Sequence, residues 1–204
     1  MPKTAAKPFN QKIRLHALRV LALGLFPAAL VVQPALGDVF MGEVLEQTGI
    51  ALVIAGILGR FWSILYIGGY KDTCVMDQGP YSMCRHPLYF FSTMAVLGFG
   101  LMVQSLVFAV FMAGVVFLVL NATASREEAY LRHAYGPEYD AYAKRTPRIL
   151  PNPFLFRTTE TIRVNISALR TNFFDALVFV AFIPLAESIE EARDLLGLFT
   201  LWLY

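Results

Sequence analysis

Apolar residues run along this chain in long blocks, with no alternation of the strand kind. The first block is about Val20 to Leu36, the second about Gly49 to Ile67 with Arg60 inside it, and the third Leu88 to Leu120. As a single helix the third would be roughly 50 Å long, against a hydrocarbon core of roughly 30 Å. Its clearly polar side chains are Ser92, Thr93, Gln104 and Ser105. The pattern therefore predicts two short spans, 88–103 and 106–120, joined by a turn at Gln104-Ser105 and tilted or set in a thinned bilayer. A fifth block, about Phe173 to Ala186, predicts another span or a re-entrant segment. The tail Leu195 to Tyr204 is too short to cross alone. The expected fold is an all-α integral membrane domain of about five transmembrane helices (20–36, 49–67, 88–103, 106–120 and 173–186) with no soluble domain appended.

Between these blocks, residues 121–151 form the polar segment with most pattern. Ser125 through Ala134 reads as a helix, Gly136-Pro137 interrupts it, and Glu138 to Arg145 resumes it until Pro147. Composition agrees with a bilayer as solvent. The chain is 57% hydrophobic with a mean hydropathy of +0.56, and only 16% of residues are charged, against about 25% in soluble domains.

Charge placement sets an orientation, because Lys and Arg favour cytoplasmic loops. Fifteen of the 17 Lys and Arg lie before the first block, between the second and third, or between the fourth span and the fifth. The loop between the first two blocks carries Asp38, Glu43 and Glu46 instead. The N-terminus and segment 121–151 are thus expected in the cytoplasm, and Glu187, Glu190, Glu191 and Asp194 outside. The basic N-terminus ahead of a long apolar run is expected to be a retained span, not a cleaved signal. No Lys/Arg run with interleaved aromatics suggests nucleic acid. Cys74 and Cys84 fit no zinc or CxxC spacing and read as free thiols.

Two polar clusters, both on the expected cytoplasmic face, are the candidates for chemistry. The first runs Gly79-Pro80-Tyr81-Ser82-Met83-Cys84-Arg85-His86-Pro87-Leu88-Tyr89. Gly-Pro makes a turn, and Pro87 suits the first turn of a helix. Arg85 and His86 then sit at a helix N-terminus, which attracts anions. An anchor at the lipid headgroups, with Tyr81 and Tyr89 as interfacial aromatics, explains the same residues. The second holds Glu127-Glu128, Tyr135-Gly136-Pro137-Glu138-Tyr139, Tyr142 and Lys144-Arg145-Thr146-Pro147-Arg148. A carboxylate there can bind a cationic ligand or accept ribose hydroxyls. A salt-bridged surface helix, with Glu128 four residues before Arg132, is the alternative. Gly98-Phe99-Gly100 most simply allows close helix packing. Arg60 within a span is a functional hypothesis by default, with a structural pair to Asp175 or snorkelling as alternatives.

In order and separation, these clusters resemble the isoprenylcysteine carboxyl methyltransferase family and the related phospholipid N-methyltransferases. The likeness is carried by Gly79-Pro80-Tyr81, Arg85 to Tyr89, Glu127-Glu128, Tyr135 to Tyr139, Tyr142 and Arg145-Thr146-Pro147, and covers roughly Gly56 to Pro151. It implies S-adenosylmethionine as methyl donor and a hydrophobic or lipid-linked acceptor, most simply a carboxylate. It also implies a cofactor site lined by Thr73, Cys74, Val75, Met76, Tyr81, Arg85, His86, Pro87, Leu88, Tyr89 and Glu127, with Gly98 and Gly100 matching the Gly-x-Gly of the phospholipid branch. For an amine acceptor Glu128 would be the base. The prenylcysteine enzymes place an Arg four residues before the cofactor Glu to hold the substrate carboxylate. This chain has Thr123 there, so Arg126 or Arg60 would have to take that role. Two other readings compete: a membrane reductase, which would need more spans, and a non-enzymatic membrane protein.

Overall fold

In the computed structural model, described for residues 32–34, 39–68, 74–181, 183–185, 188 and 201–203, three helices form the body. Helix α1 is Val39–Ile67. After a one-turn helix α2, Pro80–Met83, helix α3 is Pro87–Met102 and α4 is Leu106–Tyr135. A short α5, Pro137–Arg145, a 3-10 turn at Pro153–Leu155 and α6, Ile166–Val180, follow.

Helices α1 and α3 run antiparallel at very short range, and glycine is the reason. A Cβ on Gly49 would lie 2.5 Å from the Gly98 carbonyl oxygen, and one on Gly98 would lie 2.6 Å from the Gly49 carbonyl oxygen. Further along, Gly59 gives room to the Phe91 ring. Lipid tails are as apolar as the helices, so close packing of this kind, not water exclusion, drives association inside a bilayer. Helices α3 and α4 form the expected hairpin. Gln104 turns the chain with φ 59°, and the Ser105 hydroxyl accepts the Phe108 N–H at 3.3 Å to cap α4. Phe99, Met102, Phe108 and Met112 fill the core between them.

Several boundaries differ from the sequence reading. Helix α1 begins ten residues before the expected Gly49, because Glu43, Glu46 and Gln47 are good helix formers that hydropathy alone passes over. Helix α4 does not stop at Leu120. It continues unbroken through the polar segment to Tyr135, about 45 Å in all. Helix α6 starts seven residues before the expected 173 and ends at Val180. A separate turn at 183–185 follows, where Pro184 lacks the N–H that would continue the ladder.

The expectation of five membrane-crossing helices is met only in part. Among the described residues two helices, Phe40–Ile67 and Leu106–Tyr135, are long and apolar enough to cross a membrane; Pro87–Met102 is apolar but shorter. Most of the expected first span, 20–36, lies outside the described residues. Its end, Val32–Pro34, is an extended strand paired in parallel with Leu201–Leu203. Proline disfavours helical backbone in the residue before it, consistent with that departure. The fold is otherwise all-helical and has the character of a membrane protein.

Candidate active site

The polar half of α4 brings Glu127 and Glu128 to the start of α3. There the chain makes a short backbone ladder with the segment after α5. The Arg85 N–H donates to the Pro147 carbonyl at 2.8 Å, and the His86 N–H donates to the Arg148 carbonyl at 3.0 Å. Gly79 (φ 58°) makes the turn into α2, and a Cβ there would collide with the Tyr66 ring. Gly136 (φ 55°) ends α4 and reverses the chain into α5. The Tyr142 hydroxyl on α5 donates to the Tyr81 carbonyl at 2.8 Å, tying α5 to the Gly-Pro-Tyr turn. These three local devices close a shell around one carboxylate.

That carboxylate is Glu128, only 4% exposed. Its Oε1 lies 3.0 Å from an Arg85 guanidinium nitrogen, 3.3 Å from His86 Nε2 and 3.3 Å from Arg148 Nε. Burial alone would raise the Glu128 carboxyl. The His86 hydrogen bond, with Arg85 and Arg148, outweighs burial and leaves it below its ordinary value. His86 also reaches Glu127, whose Oε2 is 3.7 Å from Nδ1, and its ring stacks on Tyr89 at 5.2 Å. Arg85 is fixed further by donating to the Ala143 carbonyl at 2.7 Å, and Arg148 by donating to the Ser125 hydroxyl at 2.6 Å.

Two buried tyrosines adjoin this cluster, and their hydroxyls have no hydrogen-bond partner among the described residues: Tyr81 and Tyr139. Burial pushes both phenols up, Tyr139 to about 12. Next to them, burial raises the Cys84 thiol to about 12. Both described cysteines are free, Cys74 exposed and Cys84 buried.

Comparison with known proteins settles the family. The phospholipid methyltransferase family matches residues 44–138. The nickel-cobalt-cadmium resistance protein NccN of Alcaligenes xylosoxydans xylosoxydans is 35% identical over 156 residues, 76% of this chain and 73% of that protein. The cobalt-zinc-cadmium resistance protein CzcN of Cupriavidus metallidurans is 31% identical over 186 residues, 91% of this chain and 86% of that protein. The protein-S-isoprenylcysteine O-methyltransferase of Schizosaccharomyces pombe is 29% identical over 117 residues, 57% of this chain and 48% of that protein. The chain belongs to the membrane methyltransferases of the isoprenylcysteine and phospholipid type. No solved structure matches it.

Placed against this family, the residues singled out in the sequence divide. Arg85, His86, Pro87, Tyr89, Glu127 and Glu128 converge, and Tyr81 joins them through Tyr142. Leu88, which follows Pro87, is half-buried, and so are Val75 and Met76, while Cys74 is exposed. Thr73 lies outside the described residues. Gly98 and Gly100 do not join the cluster. They are about 18 and 21 Å along α3 from His86, and their Cβ positions would meet α1 and Ala109 of α4. Arg126 is exposed and, two residues from Glu128, faces away from it. Arg60 lies two turns from the end of α1, not at mid-span, and donates to the Ser92 hydroxyl on α3; the Asp175 side chain lies outside the described residues. The Glu128–Arg132 surface pair does not form: Arg132 pairs with Asp140 at 3.2 Å. The site residue that the sequence reading left without a role is Arg148. Its signal was present as the basic residue after Thr146-Pro147.

Proposed function

We propose that the chain transfers a methyl group from S-adenosylmethionine to the carboxylate of a lipid-linked or hydrophobic acceptor, on the cytoplasmic side of the membrane its helices cross. The observation that carries this reading is the Glu128 cluster. It uses the family's Arg-His-Pro-x-Tyr and Glu-Glu residues together, at one place, beyond the apolar part of α4.

The residues fit such a cofactor. A buried hydroxyl without a partner costs about 1–3 kcal/mol, and the Tyr81 hydroxyl is one; a polar ligand beside it would satisfy it. Tyr81, His86, Leu88, Tyr89 and Glu127 would hold the cofactor, with Val75 and Met76 as apolar wall. When bound, S-adenosylmethionine supplies an electrophilic methyl group on a sulfonium. Glu127, the half-exposed member of the acidic pair, offers a carboxylate to cations or ribose hydroxyls. Glu128 acts as a positioning residue, holding Arg85, His86 and Arg148 in place. Orientation of donor and acceptor in line then supplies much of the rate.

The same electrostatics favour a carboxylate acceptor. An amine must lose a proton, and Glu128, held below its ordinary value by the His86 hydrogen bond and by Arg85 and Arg148, is a poor base. A carboxylate is already ionised at neutral pH. Arg60, which donates to Ser92, is the cation on α1 that we assign to hold it. The second reading, N-methylation of an amine lipid, draws on the phospholipid name of the matched family. The metal-resistance names of two relatives set a context for the acceptor, not a chemistry. Among the described residues no group of three or more His, Cys, Asp or Glu is placed to hold a metal ion.

Calorimetry of S-adenosylhomocysteine on detergent-purified protein tests the reading. Saturable binding is expected in the wild type, falling at least tenfold in Glu127→Ala, a loss of about 1.4 kcal/mol. A well-folded wild type that does not bind would overturn it. Transfer of labelled methyl to a prenylcysteine analogue but not to phosphatidylethanolamine would separate the carboxylate from the amine.

A further inference from the structure

Past the site, the chain turns through Leu150-Pro151-Asn152-Pro153-Phe154-Leu155-Phe156, and this loop is largely apolar, exposed and hydrogen-bonded at once. Phe154 is 97% exposed and Leu150 69%. The loop is nevertheless built firmly. The Asn152 N–H donates to the Met83 carbonyl at 3.0 Å, and the Leu155 and Phe156 N–H groups donate to the Asn152 and Pro153 carbonyls at 3.1 Å each. The Asn152 side chain accepts the Phe154 N–H at 3.1 Å. A fixed scaffold that presents a fully exposed Phe fits a contact surface better than a loose connection does.

Its depth and charge say what it contacts. The Phe156 ring lies 5.8 Å from the Trp62 ring. Trp62 is five residues before the end of α1, about 7 Å inward along the helix axis. The apolar edge of the loop therefore sits level with the last turns of a membrane-crossing helix, where Trp side chains mark the interface. Around it, residues 144–170 carry six Lys and Arg against one carboxylate, Glu160; Arg145 and Arg157 pair with Asp77 and Arg148 with Glu128, which leaves Lys144, Arg163 and Arg170 to face outward. Such a surface complements anionic headgroups.

We infer that residues 150–156 form an interfacial wedge, with Leu150, Phe154 and Phe156 seated in the outer acyl region of the same bilayer and Lys144, Arg163 and Arg170 on anionic headgroups. The wedge leaves the site by the stretch whose carbonyls at Pro147 and Arg148 hold Arg85 and His86. Lipid contact therefore fixes the polar shell at the height where a membrane-borne acceptor arrives. This rests on the proposed membrane location, and not on the identity of the cofactor.

The test places an environment-sensitive fluorophore on Phe154→Cys in a Cys74→Ser background, with a Thr161→Cys control, in vesicles of phosphatidylcholine with and without phosphatidylglycerol. The position-154 label is expected to be quenched several-fold more strongly by nitroxides on the upper acyl chain than by aqueous iodide, and the position-161 label the reverse. Phosphatidylglycerol should deepen the 154 label, and Arg163→Gln with Arg170→Gln should weaken that response. A 154 label quenched mainly by iodide, or shielded from both quenchers as by a protein contact, overturns the wedge. An equal response in both lipid mixtures overturns its charge component. S-adenosylhomocysteine binding in the same vesicles, which Phe154→Asp should leave unchanged, reports separately on the methyltransferase reading.

Discussion

At one end of α3, Gly98 meets Gly49 of α1 with each carbonyl where the other's Cβ would be. Some 18 Å along the same helix, His86 meets Glu127 and Glu128 through ring nitrogens and carboxylates. The first contact is made by shape and the second by charge. Apolar surface gains little from leaving lipid for protein, so the glycine seam needs backbone proximity. A carboxylate 4% exposed needs counter-charges, or burial would force it neutral. One helix thus joins a region sensitive to volume and indifferent to pH with a region of the opposite kind.

The comparison is broken hardest at Glu128. Glu128→Ala leaves Arg85, His86 and Arg148 facing one another and is expected to cost about 3 kcal/mol, the lower end for a broken buried pair because Arg148 is partly exposed; thermal unfolding in detergent measures it. Gly98→Leu should cost about 1–3 kcal/mol by overpacking without changing the pH profile. The two sites share no partner, so the double variant should be additive within about 0.5 kcal/mol; a larger coupling would join the two regions into one. The pH profile itself sharpens the contrast. Because the folded Glu128 carboxyl lies below its ordinary value, its stabilisation is present above the unfolded pKa of about 4.3. It is lost as pH falls through the folded value. Glu128→Gln should flatten that acid limb and Gly98→Leu should keep it. The smallest effect is expected at the thiols. Maleimide at neutral pH should label exposed Cys74 and spare Cys84, which burial raises to about 12. Cys74→Ser should shift stability by less than about 0.5 kcal/mol.

The hairpin was legible because Gln104 and Ser105 are a polar pair midway along a long apolar run, and polar groups are costly in hydrocarbon. The turns at Gly79-Pro80 and Gly136-Pro137 were legible because these residues restrict the backbone locally. The continuity of α4 through Asn121-Ala122-Thr123 was not, since hydropathy falls there while helix propensity does not. The third partner of Glu128 was hidden for another reason. Arg148 reaches it only because the 147–148 backbone pairs with 85–86, a tertiary contact without a spacing rule. Gly98 and Gly100 carried a motif that fits two roles, and the close approach of α1 and Ala109 places them in the packing one.

Because α4 runs without a break from Leu106 to Tyr135, it works as a ruler. Glu128 stands eight residues past Leu120, about 12 Å beyond the apolar stretch, and that height is set by residue count. A thicker bilayer would draw the whole shell toward the headgroups and a thinner one would lift it clear, at a small cost per ångström. Under the proposed function, acyl-chain length in the host membrane therefore becomes a control on how well the shell meets a membrane-borne acceptor.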